Sequence, residues 1–127
     1  MVNRILLVED NDMLQEILCA RLTLKGFDVT IASDGNEAVE SAFALKPDII
    51  LMDMSLPYLN GWEVTKIVRA NEETRHIPII ALTAHALVTD KQRGLDAGCN
   101  AYLTKPVNFD RLVNKIHQLI GVKTIEN

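Results

Sequence analysis

Five short apolar runs recur along the chain, and segments of helical periodicity separate them. Three of the runs are unbroken in Val, Ile and Leu, which is typical of strands in a parallel sheet that is covered on both faces. Strand and helix alternate five times, and this order predicts an α/β domain built on a parallel sheet. The predicted strands span residues 4–8, 28–32, 48–52, 78–83 and 101–104.

Between the strands, apolar residues recur every three or four positions, which predicts amphipathic helices. A fourth predicted helix, about residues 88–97, has few apolar anchors and contains Gly94, so we expect it to pack more loosely than the others. The positions expected to be buried in the other four are Leu14, Ile17, Leu18 and Leu22; Ala38, Ala42 and Leu45; Val64, Ile67 and Val68; and Phe109, Leu112, Val113, Ile116, Leu119 and Ile120.

Capping chemistry marks where these helices begin. A residue that favours the N-cap is followed three positions later by Glu or Gln at four places, which is typical of a capping box. Gly26 follows the first helix as a stop signal. The predicted cap pairs are Asp12 with Gln15, Asp34 with Glu37, Asn60 with Glu63, and Thr89 with Gln92.

Composition narrows the class of protein. The chain has 127 residues, is 48% hydrophobic and 24% charged, and carries a net charge of −4, which favours one compact domain without a nucleic-acid footprint. It has neither an apolar run long enough to span a membrane nor the layout of a signal peptide. Cys19 and Cys99 lack metal-ligand or CxxC spacing, so we expect two reduced core cysteines and a cytoplasmic protein.

Polar residues with complementary chemistry follow four of the predicted strands. Glu9 and Asp10 follow the first, Asp53 the third and Lys105 the fifth, while Thr83 ends the fourth. In an open parallel sheet, ligands bind outside the carboxyl ends of the strands, so we expect these side chains to converge. The second strand contributes only small residues, which is consistent with an edge position.

Three carboxylates in one pocket require a cation. Oxygen ligands without His or Cys suit a hard ion such as Mg²⁺, which keeps several waters and accepts phosphate oxygens. Asp53, placed between two acids and opposite Lys105, is suited to attack a phosphoryl group and form an acyl phosphate. Lys105 would stabilise the charge on the transferring oxygens, and the Thr83 hydroxyl could donate to one of them.

Each of these residues has an ordinary structural interpretation when it is taken alone. An Asp at a strand end is usually a turn residue or a helix cap, a terminal Thr reflects strand propensity, and Lys-Pro is a common turn. Their joint occurrence at the ends of alternating strands favours a functional site. Asp12 is better interpreted as the N-cap of the first helix than as a member of the pocket.

The stretches "LLVEDN", "PDIILMDMSLPYLNGWEV", "IPIIALTA" and "GCNAYLTKPV" resemble the receiver domain of bacterial two-component response regulators, and the likeness extends over residues 3–120. The resemblance implies a flavodoxin-like fold with five parallel strands in the order 2-1-3-4-5 and helices on both faces. It also implies a switch that catalyses its own phosphotransfer and slow dephosphorylation, and is not otherwise an enzyme.

The resemblance assigns a role to each candidate residue. Asp53 is the phosphoacceptor, supplied by a histidine kinase or a His-containing phosphotransfer protein. Mg²⁺, with Mn²⁺ as a substitute, is held by Glu9, Asp10, Asp53 and the backbone carbonyl of Ser55. Lys105 pairs with the phosphoryl group, and Thr83 is the switch hydroxyl. Glu9 departs from the Asp that many members carry, which leaves its ligation geometry open.

Further positions follow from the same likeness. Tyr102 occupies the aromatic switch position, although a half-buried strand tyrosine is the alternative interpretation. The Lys105–Pro106 bond is expected to be cis. Ser55 and His85 fall where the family tunes phosphoryl lifetime, although an exposed loop histidine is the simpler interpretation of His85. Trp62 is expected to be a partly buried packing residue.

The expected domain is one receiver over residues 1–127, with a core at about 3–120 and a short polar tail. The predicted output is a protein partner that binds the surface formed by the fourth helix, fifth strand and fifth helix, with no direct nucleic-acid or membrane contact. We expect a monomer or a phosphorylation-dependent dimer. Met1 and the tail favour a single-domain regulator of the chemotaxis or cell-cycle type, and the alternative is a receiver excised from a hybrid kinase or larger regulator.

Two other classes fit the pattern less well. A Mg²⁺-dependent phosphatase of the haloacid dehalogenase type also uses an aspartyl phosphate, but it places its nucleophile after the first strand. A flavodoxin-like cofactor carrier needs a phosphate-binding loop after the first strand, where "VEDND" would repel a phosphate.

Overall fold

The structure is a computed structural model that describes residues 3–56, 58–84 and 98–121. Five parallel strands form one sheet in the order β2-β1-β3-β4-β5, which places β2 and β5 at its edges. This order confirms the flavodoxin-like α/β fold expected from the sequence. The strands are β1 (Arg4–Val8), β2 (Asp28–Ala32), β3 (Ile49–Asp53), β4 (Ile79–Thr83) and β5 (Ala101–Thr104).

Within the described residues, four helices pack on the two faces of the sheet. The fourth helix expected from the sequence, at about residues 88–97, lies outside the described residues, so its loose packing stays a prediction. The described helices include none long and apolar enough to cross a membrane. The helices are α1 (Asp12–Leu24), α2 (Gly35–Leu45), α3 (Gly61–Ala70) and the C-terminal helix (Phe109–Ile120).

Two apolar clusters enclose the sheet, one on each face. In one, Ala38 and Val64 from α2 and α3 pack against alternate strand residues; in the other, Leu18 and Leu112 from α1 and the C-terminal helix pack against the remaining ones. Every residue of β3 and β4 is buried, as their unbroken apolar sequences predict. Each fully buried Ile or Leu contributes about 1.5–3 kcal/mol to folding, so the central strands hold the ends that carry the site in fixed positions.

The predicted buried face of α1 is wrong at Ile17. Leu18 and Leu22 are buried and Leu14 is half-buried, whereas Ile17 remains 45% exposed. Residues four apart lie on one face of a helix, and the residue before Leu18 lies about 100° away around the axis. Once Leu18 and Leu22 contact the sheet, Ile17 therefore turns towards solvent.

The predicted cap of α1 is also wrong. Asn11, and not Asp12, is the N-cap, and its side chain accepts a hydrogen bond from the backbone N–H of Leu14. Asp12 is the first helical residue, where its charge faces the positive end of the helix dipole. Gln15 does not complete a capping box, because the third helical residue after Asn11 is Leu14; the Gln15 side-chain amide instead donates to the backbone carbonyl of Glu9.

The other described caps agree better with the sequence. Asn60 and Glu63 form the full capping box expected for α3. Asp34 caps α2 by accepting from the Glu37 N–H, but the Glu37 carboxylate accepts from Ser33 N–H instead of completing the box. Gly26 has φ of +94° just after α1, as its stop signal predicts. The pair Thr89 and Gln92 lies outside the described residues.

Both cysteines are free, as expected, but only Cys99 is a core residue. Cys99 is buried and packs in the cluster beneath α2 and α3, while Cys19 is half-buried on α1. Trp62 is partly buried against the same cluster, which confirms its interpretation as a packing residue.

Candidate active site

Four neighbouring strands bring the predicted site residues to one edge of the sheet. Glu9 and Asp10 follow β1, Asp53 ends β3, Thr83 ends β4 and Lys105 follows β5. Because β1, β3, β4 and β5 are adjacent and parallel, their carboxyl ends form one continuous rim. The backbone N–H of Lys105 donates to the carbonyl of Thr83 over 2.6 Å, so the last ladder bond fixes the start of the loop that carries the lysine.

A lysine joins two of the three acids. The Lys105 Nζ lies 3.2 Å from Glu9 Oε1 and 3.2 Å from Asp53 Oδ2. Glu9 is 1% and Asp53 2% exposed, so both carboxylates have lost most of their hydration. One ammonium group therefore offsets two buried like charges, an arrangement whose energy depends strongly on any further cation.

Burial and the neighbouring charges shift the pKa values of Glu9 and Lys105. Loss of hydration raises the pKa of Glu9, and the neighbouring charge of Asp53 raises it further against the opposing effect of Lys105. Burial alone would lower the pKa of Lys105, but the charges of Asp53 and Glu9 outweigh it and raise that pKa overall. The lysine is therefore held firmly in its charged form, while the Glu9 carboxylate is the less stable charge of the pair.

The acids also form a set that could hold a metal ion. Glu9, Asp10 and Asp53 each offer a carboxylate oxygen, and these oxygens lie within 4.8 Å of one another. Glu9 and Asp53 are buried and Asp10 is exposed, so the set opens to solvent on one side. An all-oxygen set with one open side fits a hard divalent cation that retains water, such as Mg²⁺.

Backbone and side-chain donors hold the acids in place. Asn11 N–H donates to Glu9 Oε2 over 3.1 Å, and Ser55 N–H donates to Asp53 Oδ1 over 3.0 Å. The Gln15 amide joins the Glu9 carbonyl to the Ser33 hydroxyl. The sequence did not reveal the roles of Asn11 and Gln15 at the site. The available signal was that Asn11, a residue that favours the N-cap, directly follows the acidic pair, but Asp12 beside it favours the N-cap as well.

The turn after Asp53 is packed tightly against the start of α3. Gly61 N–H donates to the Met54 carbonyl over 3.3 Å. A Cβ on Gly61 would lie 2.6 Å from Met54 Sδ and 2.7 Å from the Asp53 carbonyl oxygen, closer than real contacts allow. The sequence "NGWEV" thus combines a cap with a close approach that only glycine permits.

The remaining predicted residues are less central. Thr83 is 1% exposed at the rim, and Ser55 is exposed. Tyr102 is half-buried against the core and pairs with Ala81, two residues before Thr83, so it lies away from the acids along the strand direction. The Lys105–Pro106 peptide bond is cis. His85 lies outside the described residues.

An apolar groove of about 440 Å³ adjoins the ion group. Glu9 and Lys105 lie at its polar end, and Arg21 lies on its wall. The guanidinium carbon of Arg21 is 4.7 Å from the centre of the Phe109 ring, so this cation stacks on an aromatic face. The other lining residues are Leu14, Ile17, Leu18, Leu82, Pro106 and Val107.

Comparison with known proteins agrees with this geometry. Residues 5–117 match the family described as the response regulator receiver domain. The polar-differentiation response regulator DivK of Brucella ovis is 37% identical over 121 residues, which cover 95% of this chain and 98% of that protein.

Solved structures of receiver domains and response regulators also resemble this chain. The receiver domain of the sensor histidine kinase PA1611 from Pseudomonas aeruginosa PAO1, which has a magnesium ion coordinated in its active-site cleft, is 44% identical with a TM-score of 0.89, over 96% of this chain and all (100%) of that one. The chemotaxis response regulator CheY4 of Vibrio cholerae is 28% identical with a TM-score of 0.88, over 94% of this chain and 99% of that one. By its sequence, its strand order and the acidic rim of its sheet, this chain belongs to the response regulator receiver domain family.

Proposed function

We propose that this receiver is a phosphorylation switch in which Asp53 accepts a phosphoryl group from a phosphohistidine on a histidine kinase or a His-containing phosphotransfer protein. The observation that carries the proposal is the buried Asp53 carboxylate at the strand ends, with the Lys105 ammonium 3.2 Å from its Oδ2 and two other acids beside it. A structural ion pair alone would not need three converging carboxylates.

The chemical step is a direct displacement at phosphorus. A carboxylate oxygen of Asp53 attacks the phosphorus atom, the P–N bond of the donor phosphohistidine breaks, and its electron pair returns to the imidazole nitrogen. The product is an acyl phosphate on Asp53. Lys105 remains charged because the surrounding carboxylates raise its pKa, so its ammonium group is available to pair with the phosphoryl oxygens.

Glu9, Asp10, Asp53 and the backbone carbonyl of Ser55 are the proposed ligands of Mg²⁺, with Mn²⁺ as a substitute. When bound, the cation supplies positive charge that offsets the negative charge on the phosphoryl oxygens. The fit rests on the chemistry of the donors, since the three carboxylates offer only oxygen and lie within 4.8 Å of one another. The longer side chain of Glu9 reaches the same set from the end of β1 and is also held by Asn11 N–H.

The switch itself is proposed to act through Thr83 and Tyr102. Thr83 lies at the end of β4, next to Lys105 in the backbone ladder, where its hydroxyl could bond a phosphoryl oxygen. Tyr102 would change its packing when Thr83 moves, which alters the surface formed by the fourth helix, β5 and the C-terminal helix. Ser55 and His85 are proposed to tune the lifetime of the acyl phosphate, and cis-Pro106 belongs to the loop that positions Lys105.

The output of the switch is proposed to be binding of a downstream protein, with phosphorylation-dependent dimerisation as the other outcome. The chain catalyses its own phosphotransfer and slow dephosphorylation, and no separate substrate is turned over. The same chemistry applies to a free-standing regulator, such as the DivK relatives, and to a receiver within a sensor kinase, such as the Pseudomonas neighbour.

Incubation with acetyl phosphate and Mg²⁺, followed by intact mass measurement, tests the proposal. We expect the wild-type chain to gain one phosphoryl group, and Asp53→Asn to gain none. Asp110→Asn, an exposed acid in the first turn of the C-terminal helix, is the matched control and should be phosphorylated normally. No gain in the wild type, or an equal gain in Asp53→Asn, would overturn the proposal.

Lys105→Ala separates metal binding from switching. We expect the variant to bind Mg²⁺ in calorimetric titration but to lose the phosphorylation-driven change in partner binding. Lys66→Ala, which removes an exposed cation from α3, is the control. A normal response of the partner to phosphorylation in Lys105→Ala would show that the lysine has no part in the switch.

A further inference from the structure

Exposed large apolar side chains concentrate on one helix of the described chain. Met13 is 69%, Ile17 45% and Leu24 87% exposed, and all three belong to α1. Ala20 between them is exposed as well. Scattered exposed apolar residues need no explanation, but four on one side of a 13-residue helix form a continuous patch.

The spacing of these four residues is that of a helix–helix seam. Met13, Ile17, Ala20 and Leu24 follow one another at intervals of four, three and four, which is the spacing of the apolar positions of a two-stranded coiled coil. We call them the α1 seam. Leu18 and Leu22, which contact the sheet, lie on the opposite side of the helix, so the seam faces solvent, and only Ile17, at its edge, also lines the groove towards Pro106 and Phe109.

The charges beside the seam are complementary to those of a second copy in one orientation. Glu16 and Arg21 are exposed, flank the seam on opposite sides and are five positions apart. In a parallel two-stranded pair, a residue in the position of Glu16 faces the residue five positions later on the other helix. Two copies would therefore form the Glu16–Arg21 ion pair twice. In an antiparallel pair the same flanks meet, so Glu16 would lie opposite Thr23 and gain no cation.

Arg21 is already ordered for such a contact. Its guanidinium group stacks 4.7 Å from the Phe109 ring centre. Stacking uses the face of the guanidinium plane, while its N–H groups point outwards in that plane and can still donate to a carboxylate. Less side-chain entropy is then lost when the ion pair forms, because the stacking contact already restricts the Arg21 side chain in the single chain.

We propose that two copies of this chain associate through the α1 seam as a parallel, two-fold symmetric pair, without phosphorylation. A 13-residue helix is only about 20 Å long, so the contact is small compared with stable dimer interfaces. We therefore expect a dissociation constant on the order of 100 μM, as for weak and transient contacts. This inference does not depend on the proposed phosphotransfer.

Sedimentation of the unphosphorylated protein in low salt with EDTA, from micromolar to millimolar concentration, tests the proposal. We expect a reversible rise towards the dimer mass. Ile17→Glu should weaken association at least tenfold, because it places two carboxylates in the seam. Lys25→Glu, an exposed charge reversal at the end of the same helix, should leave association unchanged.

Charge exchange provides a test that general loss of packing cannot mimic. Glu16→Arg and Arg21→Glu should each associate at least fivefold more weakly, since each places like charges opposite each other. An equimolar mixture of the two variants should recover the wild-type association, because every flank then meets its opposite charge. A wild type that stays monomeric up to millimolar concentration would overturn the proposed self-association, and this is also the result expected if the seam binds only a different protein. A mixture of the two variants that recovers no association would overturn the parallel pairing.

Discussion

Lys105 and Glu9, which are 96 positions apart in the sequence, form an ion pair of 3.2 Å at the carboxyl ends of the strands. The same ammonium group lies 3.2 Å from Asp53 Oδ2. The lysine, which follows β5, thus joins the ends of β1 and β3, and it is the counterion of two buried carboxylates. Any process that adds or removes positive charge here changes the energy of both acids at once.

Removal of the Lys105 ammonium group should make the stability of the domain depend on Mg²⁺. In metal-free buffer near pH 8, Lys105→Met leaves two buried carboxylates facing each other, and we expect the free energy of unfolding to fall by about 2 kcal/mol. Saturating Mg²⁺ should then stabilise the variant more than it stabilises the wild type, because the cation replaces the missing charge. Urea unfolding with EDTA or with Mg²⁺ measures both quantities. Equal stabilisation of the two proteins by Mg²⁺ would contradict this role.

The raised pKa of Glu9 predicts the sign of a pH effect. Burial raises this pKa above its unfolded value, so the folded state holds the proton to higher pH and loses relative stability as pH rises through that range. In metal-free buffer we therefore expect Glu9→Gln to raise the free energy of unfolding at pH 8, with a much smaller gain at pH 4, which lies below the ordinary pKa of 4.5 and where most of the Glu9 side chain is protonated in both states.

Bound Mg²⁺ should reverse the order of stability of the wild type and Glu9→Gln at pH 8. Because Glu9 is a proposed ligand of Mg²⁺, the wild type should gain more stability from the ion than Glu9→Gln does at pH 8. Glu63→Gln, which removes an exposed acid but keeps a side-chain oxygen for the capping box of α3, serves as the control for loss of an acid elsewhere. If Glu9→Gln were less stable than the wild type at pH 8 without metal, the ion pair with Lys105 would outweigh the cost of burial.

The fold could be predicted from the sequence because its strongest signals are local and repeated. Unbroken apolar runs give the central strands, since both faces of β3 and β4 are covered. The convergence of the acids, Thr83 and Lys105 could be predicted because the carboxyl ends of the strands in such a sheet meet at one rim. The place of the site is therefore a consequence of the topology, and predicting its residues required only the positions of the strand ends.

The predictions of the N-cap of α1 and of the burial of Ile17 are wrong. Both depend on the rotation of a helix or on contacts between segments that are distant in the sequence. Asn11 and Asp12 are both good N-caps, and the choice is made by the bonds that Glu9 forms with Asn11 and Gln15. Ile17 belongs to the apolar periodicity of α1, but the helix rotates to place Leu18 on the sheet. Neither choice is visible in the spacing of residues alone.

The tight packing of Gly61 against the Asp53 backbone predicts that a substitution there affects phosphorylation as well as stability. A methyl group there would overlap Met54 Sδ and the Asp53 carbonyl oxygen, so we expect Gly61→Ala to lower the free energy of unfolding by roughly 2–3 kcal/mol. Because the displaced backbone is that of Asp53, the proposed phosphoacceptor, phosphorylation by acetyl phosphate should also slow at temperatures where the variant is fully folded.

Gly26 offers the matched control for this substitution. It has a positive φ of +94° but open space around its missing Cβ, so Gly26→Ala should cost only about 1 kcal/mol and leave phosphorylation unchanged. If both variants lost phosphorylation equally at matched stability, the contact between Gly61 and the Asp53 backbone would not be the cause.

Arg69 is a connector that the sequence did not reveal. From the last turn of α3 its guanidinium donates to the carbonyls of Gly98, Arg75 and Ile77 over 2.9, 2.9 and 2.7 Å. It also donates to the side-chain oxygen of Asn100 over 2.6 Å. One planar group thus joins α3 to the loop before β4 and to the turn before β5, at the end of the sheet opposite the acids.

Loss of this connector should destabilise the turn before β5 and expose the buried thiol beside it. We expect Arg69→Ala to lower the free energy of unfolding by about 2–3 kcal/mol, and Arg69→Lys by more than half as much, because an ammonium group cannot reproduce the planar set of donors. Arg75→Ala, whose side chain is exposed, should change stability by less than about 0.5 kcal/mol. Burial raises the pKa of the Cys99 thiol, which disfavours the reactive thiolate. In a Cys19→Ser background we therefore expect Arg69→Ala to speed the labelling of Cys99 by a disulfide reagent severalfold. Labelling at the wild-type rate would show that the other contacts of the turn hold it without Arg69.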